Sequence, residues 1–230
     1  MAAVVCRMLK LDLLIHSRYS DDAGGTPEEI IRFLKKKGMQ GMAITDHNTI
    51  EGSLKAHQIA PSDFLVIPSV EISTRDGHLI ALNVTKDIQR GLSVEETVEA
   101  IIGAGGIPIV PHLFRIFSGI KKDKLNQVRT KIPALEVFNG CSVPRTNLKT
   151  AKTAHEYRLG GTGGSDSHEP LYGGFAYTVV DTTDFRIDAV LSEIERKRTW
   201  GEGLTIPLMY RRDRMVLSIR QFVQRGFKRI

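Results

Sequence analysis

The chain of 230 residues lacks the features that mark a membrane-spanning or disulfide-stabilised protein. No apolar run in it approaches the ~18–20 residues that a transmembrane helix needs. Its two cysteines, Cys6 and Cys141, are too few for a disulfide scaffold, and neither belongs to a C-x-x-C pair. The N-terminal segment has neither the charged start nor the cleavage site of a signal peptide. These absences predict a protein of a reducing compartment, with the cytoplasm as the expected location.

Acidic residues are nearly absent from the C-terminal end, where basic residues are concentrated. Residues 211–230 contain seven basic residues and one acid, which equals the net charge of +6 of the whole chain. Apolar residues recur there at helical spacing and predict a basic amphipathic helix: Met215, Ile219, Phe222 and Val223. We expect this helix to pack on its own domain. Contact with nucleic acid or with an anionic membrane surface is the alternative.

The remaining sequence has the composition of an ordinary globular domain, because the whole chain is 41% hydrophobic and 25% charged. Its apolar patterns alternate between strand and helix. Strands are predicted at 8–16, 41–45, 64–72, 78–84, 107–111, 134–138 and 175–181, and helices at 26–37, 50–58, 93–103, 144–159 and 187–197. The glycine-rich residues 160–164 are predicted to form a short strand or a loop. Residues 75–77 read as a hairpin turn. Repeated βα units predict one α/β domain, residues 1–205, with a parallel sheet that is closed or open, followed by a basic tail, residues 206–230.

Five of the seven histidines follow or border predicted strands, and several acids accompany them. Residues at the carboxyl ends of parallel strands converge on one face of the sheet. Imidazoles and carboxylates gathered there are the ligands that divalent transition metals bind, and the lack of cysteine pairs favours an open hydrolytic site over a structural zinc site. We interpret His57 and His155 as ordinary structural histidines. The candidate residues are His16, Asp22, Asp46, His47, Glu71, His78, His112, Asp166 and His168.

An ordered set of segments resembles the PHP family, named for polymerase and histidinol phosphatase. The segments include ITDHNTIEG and GSDSH, and they lie at residues 11–22, 43–52, 67–74, 77–84, 111–114, 136–140 and 163–170. The resemblance is greatest to the small stand-alone members. It implies a distorted (β/α)7 TIM-like barrel with two or three divalent transition metal ions, Mn²⁺, Zn²⁺ or Fe²⁺, at the carboxyl ends of its strands.

The resemblance also implies three sets of metal ligands. The first metal would be held by His16, Glu71 and Asp166, together with a histidine of the family's Asp-x-His-x-His motif. Leu14 occupies the place of that histidine here, and leucine cannot bind a metal ion. Either water fills the gap and the site stays active, or the protein has moved towards a non-catalytic role. We favour activity, because the other two sets are complete.

The second metal would be held by Glu71, His78 and His112, with Glu71 as a bridge to the first. The third would be held by Asp22, His47 and His168, and Asp21 is an alternative to Asp22 because the spacing in that loop varies.

Further roles are assigned to residues beside these ligands. We expect Asp46 to act in catalysis, from a second shell or through a metal-bound water, and His112 or His168 to protonate the leaving alkoxide. Arg115 and Arg145 are candidates for holding a phosphate, because a guanidinium matches its oxygens. Exposed surface arginines are an equally good interpretation of both.

The predicted function is a metal-dependent phosphoesterase that hydrolyses a phosphomonoester, a nucleotide or an oligonucleotide end with metal-activated water. The alternative is a non-catalytic or weakly catalytic scaffold associated with nucleic acid, like a ribonuclease P subunit, with the basic tail as its contact. An amidohydrolase-type deaminase fits the motifs less well. The oligomeric state is left open.

Overall fold

A computed structural model describes residues 8–224, without the side chains of residues 213–215, 218, 221 and 222 in the last helix. Within that range the chain forms ten strands and seven α-helices. The strands are β1 (Leu9–Ile15), β2 (Gly41–Ile44), β3 (Leu65–Val66), β4 (Ser69–Ser73), β5 (His78–Leu82), β6 (Ile107–Val110), β7 (Ala134–Asn139), β8 (Gly160–Gly164), β9 (Ala176–Val180) and β10 (Thr199–Gly203). The helices are α1 (Pro27–Lys36), α2 (Glu51–Ile59), α3 (Val94–Gly103), α4 (Lys122–Val128), α5 (Pro144–Tyr157), α6 (Ile187–Glu195) and α7 (Leu208–Gln224), and a 3₁₀ helix covers Pro170–Tyr172.

The strands form two five-stranded sheets, in the order β10-β9-β1-β2-β3 and β4-β5-β6-β7-β8. Pairing is parallel within β1–β3 and within β6–β8. It is antiparallel between β1 and β9, between β9 and β10, and on both sides of β5. The α/β prediction is confirmed, but the prediction of a parallel sheet is wrong because both sheets are mixed. The hairpin at residues 75–77 joins β4 to β5, and a connection this short cannot return the chain in parallel.

The two sheets meet where β1 and β2 end. The N–H of His16 donates to the carbonyl of Ser167 at 2.9 Å, and the N–H of Glu71 donates to the carbonyl of Asp46 at 3.2 Å. These contacts are isolated bridges outside the named strands. The fold is therefore an α/β arrangement of two mixed sheets, and a closed (β/α)7 barrel remains a prediction.

Two of the helices begin at capping residues that the sequence supplies. Thr26 caps α1 and Ser93 caps α3, each in a reciprocal capping box with the glutamate three residues later. Helix α1 buries Ile30 and Leu34 against the sheet-side cluster that contains Ile15 and Ile44. A left-handed glycine, Gly38, follows α1 at φ 77° and lets the chain turn into β2.

The interior between the two sheets is apolar. Leu11, Leu13 and Leu14 of β1 belong to one buried cluster with Ile80 and Ile109 of the other sheet. Leu14 is only 1% exposed, so the side chain at the position of the missing histidine is part of the hydrophobic core.

The segment expected to form the tail begins inside the body of the protein. Ile206 is fully buried, and its N–H donates to the carbonyl of Gly140 at 2.8 Å. Tyr210 is 8% exposed, and its ring lies 4.3 Å from that of Tyr172, measured between centroids. Both residues of the segment therefore pack on the domain.

Beyond this start, helix α7 is exposed. Ile219 and Val223 are 44% and 52% exposed, so the expectation that the apolar stripe packs on the domain is wrong for these two. Every described side chain from Val216 onward is exposed. The side chains of Met215 and Phe222 lie outside the described residues. No helix within residues 8–224 is long and apolar enough to cross a membrane.

Replacing Ile206 by alanine should lower the free energy of unfolding by about 2–5 kcal/mol, because it leaves a cavity at a fully buried position. Urea denaturation measures the change. The matched control is Leu208→Ala, which truncates a side chain that is 70% exposed and should change stability by less than about 0.5 kcal/mol. Equal effects of the two substitutions would contradict the docking of this segment.

Candidate metal centre

The structure brings together the five histidines that border strands. His16 follows β1, His47 follows β2, His78 begins β5, His112 follows β6 and His168 follows β8. The ring centroid of His16 lies 4.2 Å from that of His168 and 4.6 Å from that of His47. The ring of His78 lies 5.3 Å from that of His47 and 5.6 Å from that of His112. Residues far apart in the sequence therefore form one histidine cluster.

Glu71 of β4 lies in the middle of this cluster and is only 1% exposed. Its Oε1 accepts hydrogen bonds from His78 Nδ1 at 2.8 Å and from His112 Nε2 at 3.0 Å. Its Oε2 lies 3.3 Å from His16 Nε2 and 3.5 Å from His47 Nδ1. Burial would raise the pKa of Glu71, but His78 and the hydrogen bond from His112 outweigh it and hold the pKa well below its ordinary value. The carboxylate is therefore ionised and surrounded by four imidazoles.

Two aspartates complete the cluster. Asp166 Oδ1 lies 3.4 Å from His16 Nε2, and Asp22 Oδ2 lies 3.1 Å from His168 Nε2. Burial opposes the ionisation of both, but Arg115 lowers the pKa of Asp166 and His168 lowers the pKa of Asp22. Asp21 is exposed, so the structure places Asp22 and not its neighbour beside His168.

The imidazoles differ in protonation. Burial lowers the pKa of His47 to about 3. It also lowers the pKa of His112 to about 4, with a smaller contribution from Arg115. Burial acts in the same direction on His16, but Asp166 and Glu71 outweigh it and raise its pKa to about 10. His47 and His112 are thus neutral at pH 7, which is the form that binds a metal ion.

Several buried atoms of the cluster make no hydrogen bond within the described part of the chain. They are His16 Nε2, His47 Nδ1, Glu71 Oε2 and His112 Nδ1. A buried polar atom without a partner costs about 1–3 kcal/mol. Two groups of three residues each offer one ligand atom per residue, and within each group these atoms lie within 4.8 Å of one another. The groups are His16, His47 and His168, and His47, Glu71 and His78. This set of nitrogen and oxygen donors fits divalent transition metal ions.

Two family models match this chain. The model of the PHP domain matches residues 12–111, and a PHP-associated model matches residues 144–199. An uncharacterised protein of Methanocaldococcus jannaschii is 35% identical over 142 residues, which cover 57% of this chain and 82% of that protein. The chain belongs to the PHP family.

Solved structures of similar fold are distant in sequence. A two-domain protein of Bacteroides vulgatus, which contains a predicted PHP-like metal-dependent phosphoesterase, aligns with a TM-score of 0.75 at 15% identity. The alignment covers 86% of this PHP chain but only 65% of that protein. The lesion-specific endonuclease Q of Pyrococcus furiosus aligns with a TM-score of 0.64 at 18% identity, over 83% of this chain and 56% of its own. At these identities the structures show a shared fold, in agreement with the family match.

Asp46 of the PHP motif is fully buried beside the cluster. The N–H and the hydroxyl of Ser17 each donate to its carboxylate at 2.6 Å. Gly52 packs so closely that a Cβ there would clash with Asp46 Oδ2. Asp46 thus fixes the loop after β1 relative to the loop after β2. Sequence analysis missed Ser17, although it directly follows His16.

The two candidate phosphate-binding arginines differ in position. Arg115, in the loop after β6, donates to the carboxylate of Asp166 and to Asn139 Oδ1, the latter at 3.0 Å. Arg145 is exposed in the first turn of α5 and lies outside the histidine cluster. Of these two arginines, Arg115 alone thus contacts a candidate metal-binding residue, Asp166.

The two histidines interpreted as structural lie outside the cluster. His57 Nδ1 donates to the carbonyl of Val66 at 2.8 Å, and His155 is exposed on α5.

Sequence analysis gave no role to Asp12, a residue of β1 whose side chain contacts the loop after β8. Its buried carboxylate accepts from the N–H groups of Ser165 at 2.9 Å, Gly174 at 2.8 Å and Leu14 at 3.3 Å. Burial raises the pKa of Asp12 to about 6. Its place in the family motif was the available signal, because it is the acid of Asp-x-His-x-His.

The substitution Asp12→Asn should remove the contribution of Asp12 to the pH dependence of the unfolding free energy. The pKa of Asp12 rises on folding from 3.8 to about 6, so the folded state binds more protons between these values. Stability should therefore fall as the pH rises through this window, by at most about 3 kcal/mol. The measurement is the difference in unfolding free energy between wild type and variant from about pH 4 to pH 7. A difference that is constant with pH contradicts the assignment.

Proposed function

We propose that this PHP protein is a metal-dependent phosphoesterase that hydrolyses a phosphomonoester, a nucleotide or an oligonucleotide end. The observation that carries the proposal is Glu71, which lies within 3.5 Å of nitrogens from four histidines. A buried bridging carboxylate with this many imidazoles is suited to hold more than one divalent ion.

The ligand sets follow from the contacts in the cluster. Glu71, His78 and His112 converge through Glu71 Oε1 and would hold one ion. Asp22, His47 and His168 would hold a second ion, supported by the contact between His168 Nε2 and Asp22 Oδ2. Divalent Mn²⁺, Zn²⁺ or Fe²⁺ would supply positive charge to the phosphate oxygens and make water more acidic.

The protein's own groups orient the substrate and move protons. The side chain of Arg115 is 32% exposed, so its guanidinium can meet a phosphate while it remains on Asp166. His112 or His168 would give a proton to the leaving oxygen. Asp46 would act as a positioning residue, because Ser17 holds both of its oxygens. Arg145 would contact a more distant part of the substrate from α5.

The loop that carries Arg115 also favours a substrate with a large apolar or aromatic part. Ile116 and Phe117 follow Arg115 directly and are 86% and 54% exposed. A nucleobase next to the phosphate would have apolar surface to contact there, which supports a nucleotide or an oligonucleotide end. The cytoplasm remains the predicted location.

After removal of metal by a chelator and addition of Mn²⁺ or Zn²⁺, the protein should release phosphate from a generic aryl phosphate. His47→Ala and Glu71→Gln should each lower kcat by at least about 100-fold, because each removes a ligand. His155→Ala is the matched control, because it removes an exposed imidazole outside the cluster, and it should retain the wild-type rate. Activity that persists in both ligand variants, with circular dichroism showing an intact fold, would refute the proposal.

The exposed basic helix α7 supports a second candidate function, binding of nucleic acid. Arg212 and Arg220 are exposed on it, and residues 213–230 carry a net charge of +4. Under this second hypothesis the PHP domain is a scaffold with weak or no catalysis. Contacts between the basic side chains and the phosphates supply the affinity for nucleic acid.

Deletion of residues 213–230 tests this second function and leaves Ile206 and Tyr210 in place. The full chain should bind single-stranded DNA with an affinity that falls ~10-fold or more between 50 and 200 mM salt, and the deletion should abolish most of the binding. Fluorescence anisotropy with a labelled oligonucleotide measures both. A deleted chain that binds as tightly as the full chain contradicts a role for the tail.

A further inference from the structure

The first of the three metal positions implied by the family resemblance is incomplete. His16, Glu71 and Asp166 are in place, with His16 Nε2 at 3.3 Å from Glu71 and 3.4 Å from Asp166. The fourth ligand is missing, because Leu14 is buried in the apolar cluster between the sheets. The position thus lacks an imidazole, and the side chain in its place offers no polar atom.

A protein cation already contacts this position. Arg115 Nη2 donates to Asp166 Oδ2, and Asn139 Nδ2 donates to the same oxygen at 3.1 Å. Arg115 Nη2 also donates to Asn139 Oδ1 at 3.0 Å, so the three side chains form a closed triangle of hydrogen bonds. One oxygen of Asp166 is therefore committed to protein donors, and Oδ1 alone faces His16.

The backbone holds Arg115 in this place. Its N–H donates to the carbonyl of His112 at 2.9 Å, and its carbonyl accepts from Gly119 at 3.0 Å. Gly119 packs tightly here, because a Cβ would lie 2.6 Å from the backbone nitrogen of Arg115. The guanidinium is thus carried by a turn that begins at a candidate metal ligand.

We infer that the guanidinium of Arg115 takes the place of a metal ion at the first position, so that the chain binds two ions and not three. The inference rests on the proposed function. A loss of one imidazole and the presence of a fixed positive charge beside Asp166 both weaken binding of a divalent ion at the same position. Arg115 instead supplies there a permanent charge that does not dissociate.

The number of metal ions bound per chain distinguishes a site with two ions and Arg115 from a site with three ions. We would dialyse the purified protein against Mn²⁺ and count bound ions per chain by plasma mass spectrometry, for wild type, L14H, R115Q and the double variant L14H/R115Q. Wild type should bind two ions. The double variant should bind three, because it restores the imidazole and removes the competing charge.

The control is R90Q, which removes the same charge from an exposed arginine in the loop before α3 and should bind two ions like wild type. The core position of Leu14 could prevent L14H from folding, so a second measurement uses R115Q alone. Calorimetric titration should show a third ion bound at least about tenfold more tightly in R115Q than in wild type.

Three ions in wild type, or an unchanged titration in R115Q, would overturn the inference and leave the phosphoesterase proposal intact. A wild-type protein that binds no metal ion and releases no phosphate would instead overturn the proposed function. Metal binding decides the first outcome, and metal binding together with phosphate release by the wild type decides the second, so neither depends on the activity of the variants.

Discussion

The cluster depends on one buried carboxylate. An ionised glutamate away from water is strongly unfavourable unless it is paired. Glu71 meets this condition with two hydrogen bonds on Oε1 and two imidazole nitrogens near Oε2. The partners come from segments after β1, β2 and β6 and from the start of β5. The electrostatic requirement of a single side chain therefore holds together four parts of the chain, at the place where the two sheets meet.

Much of the fold is predictable because local signals agree with tertiary packing. The capped helices α1 and α3 and most strands lie where periodicity and capping residues predict them. The segment 64–72 was predicted as one strand but forms β3 and β4 in different sheets, with Pro68 between them. Strand β10 was missed because two of its five residues are glycine, and only pairing with β9 makes it a strand. Helix α4 was missed because it is short and has no side-chain cap.

The candidate site was predictable as a set of residue types at strand ends, since topology brings those ends together. Details that depend on loop conformation were not. The choice between Asp21 and Asp22 needed the contact with His168, because the loop spacing does not decide it. Tyr210, whose hydroxyl accepts from the N–H of His168 at 3.3 Å, belongs to a segment that composition alone assigns to a tail. No pattern in this sequence predicts either contact of His168.

The balance of charge in the cluster connects Arg115 with the need for metal ions. Among the described residues, five buried acids lie in or beside the cluster: Asp22, Asp46, Glu71, Glu136 and Asp166. Two of them, Asp166 and Glu71, raise the pKa of His16 to about 10 despite its burial. Burial, and then Asp166, raise the pKa of Glu136 well above its ordinary value. Protons thus compensate the acids where other cations are lacking. Arg115 compensates Asp166 permanently through its ion pair. In the arrangement that we propose, the remaining acids and the neutral imidazoles are compensated by exchangeable metal ions.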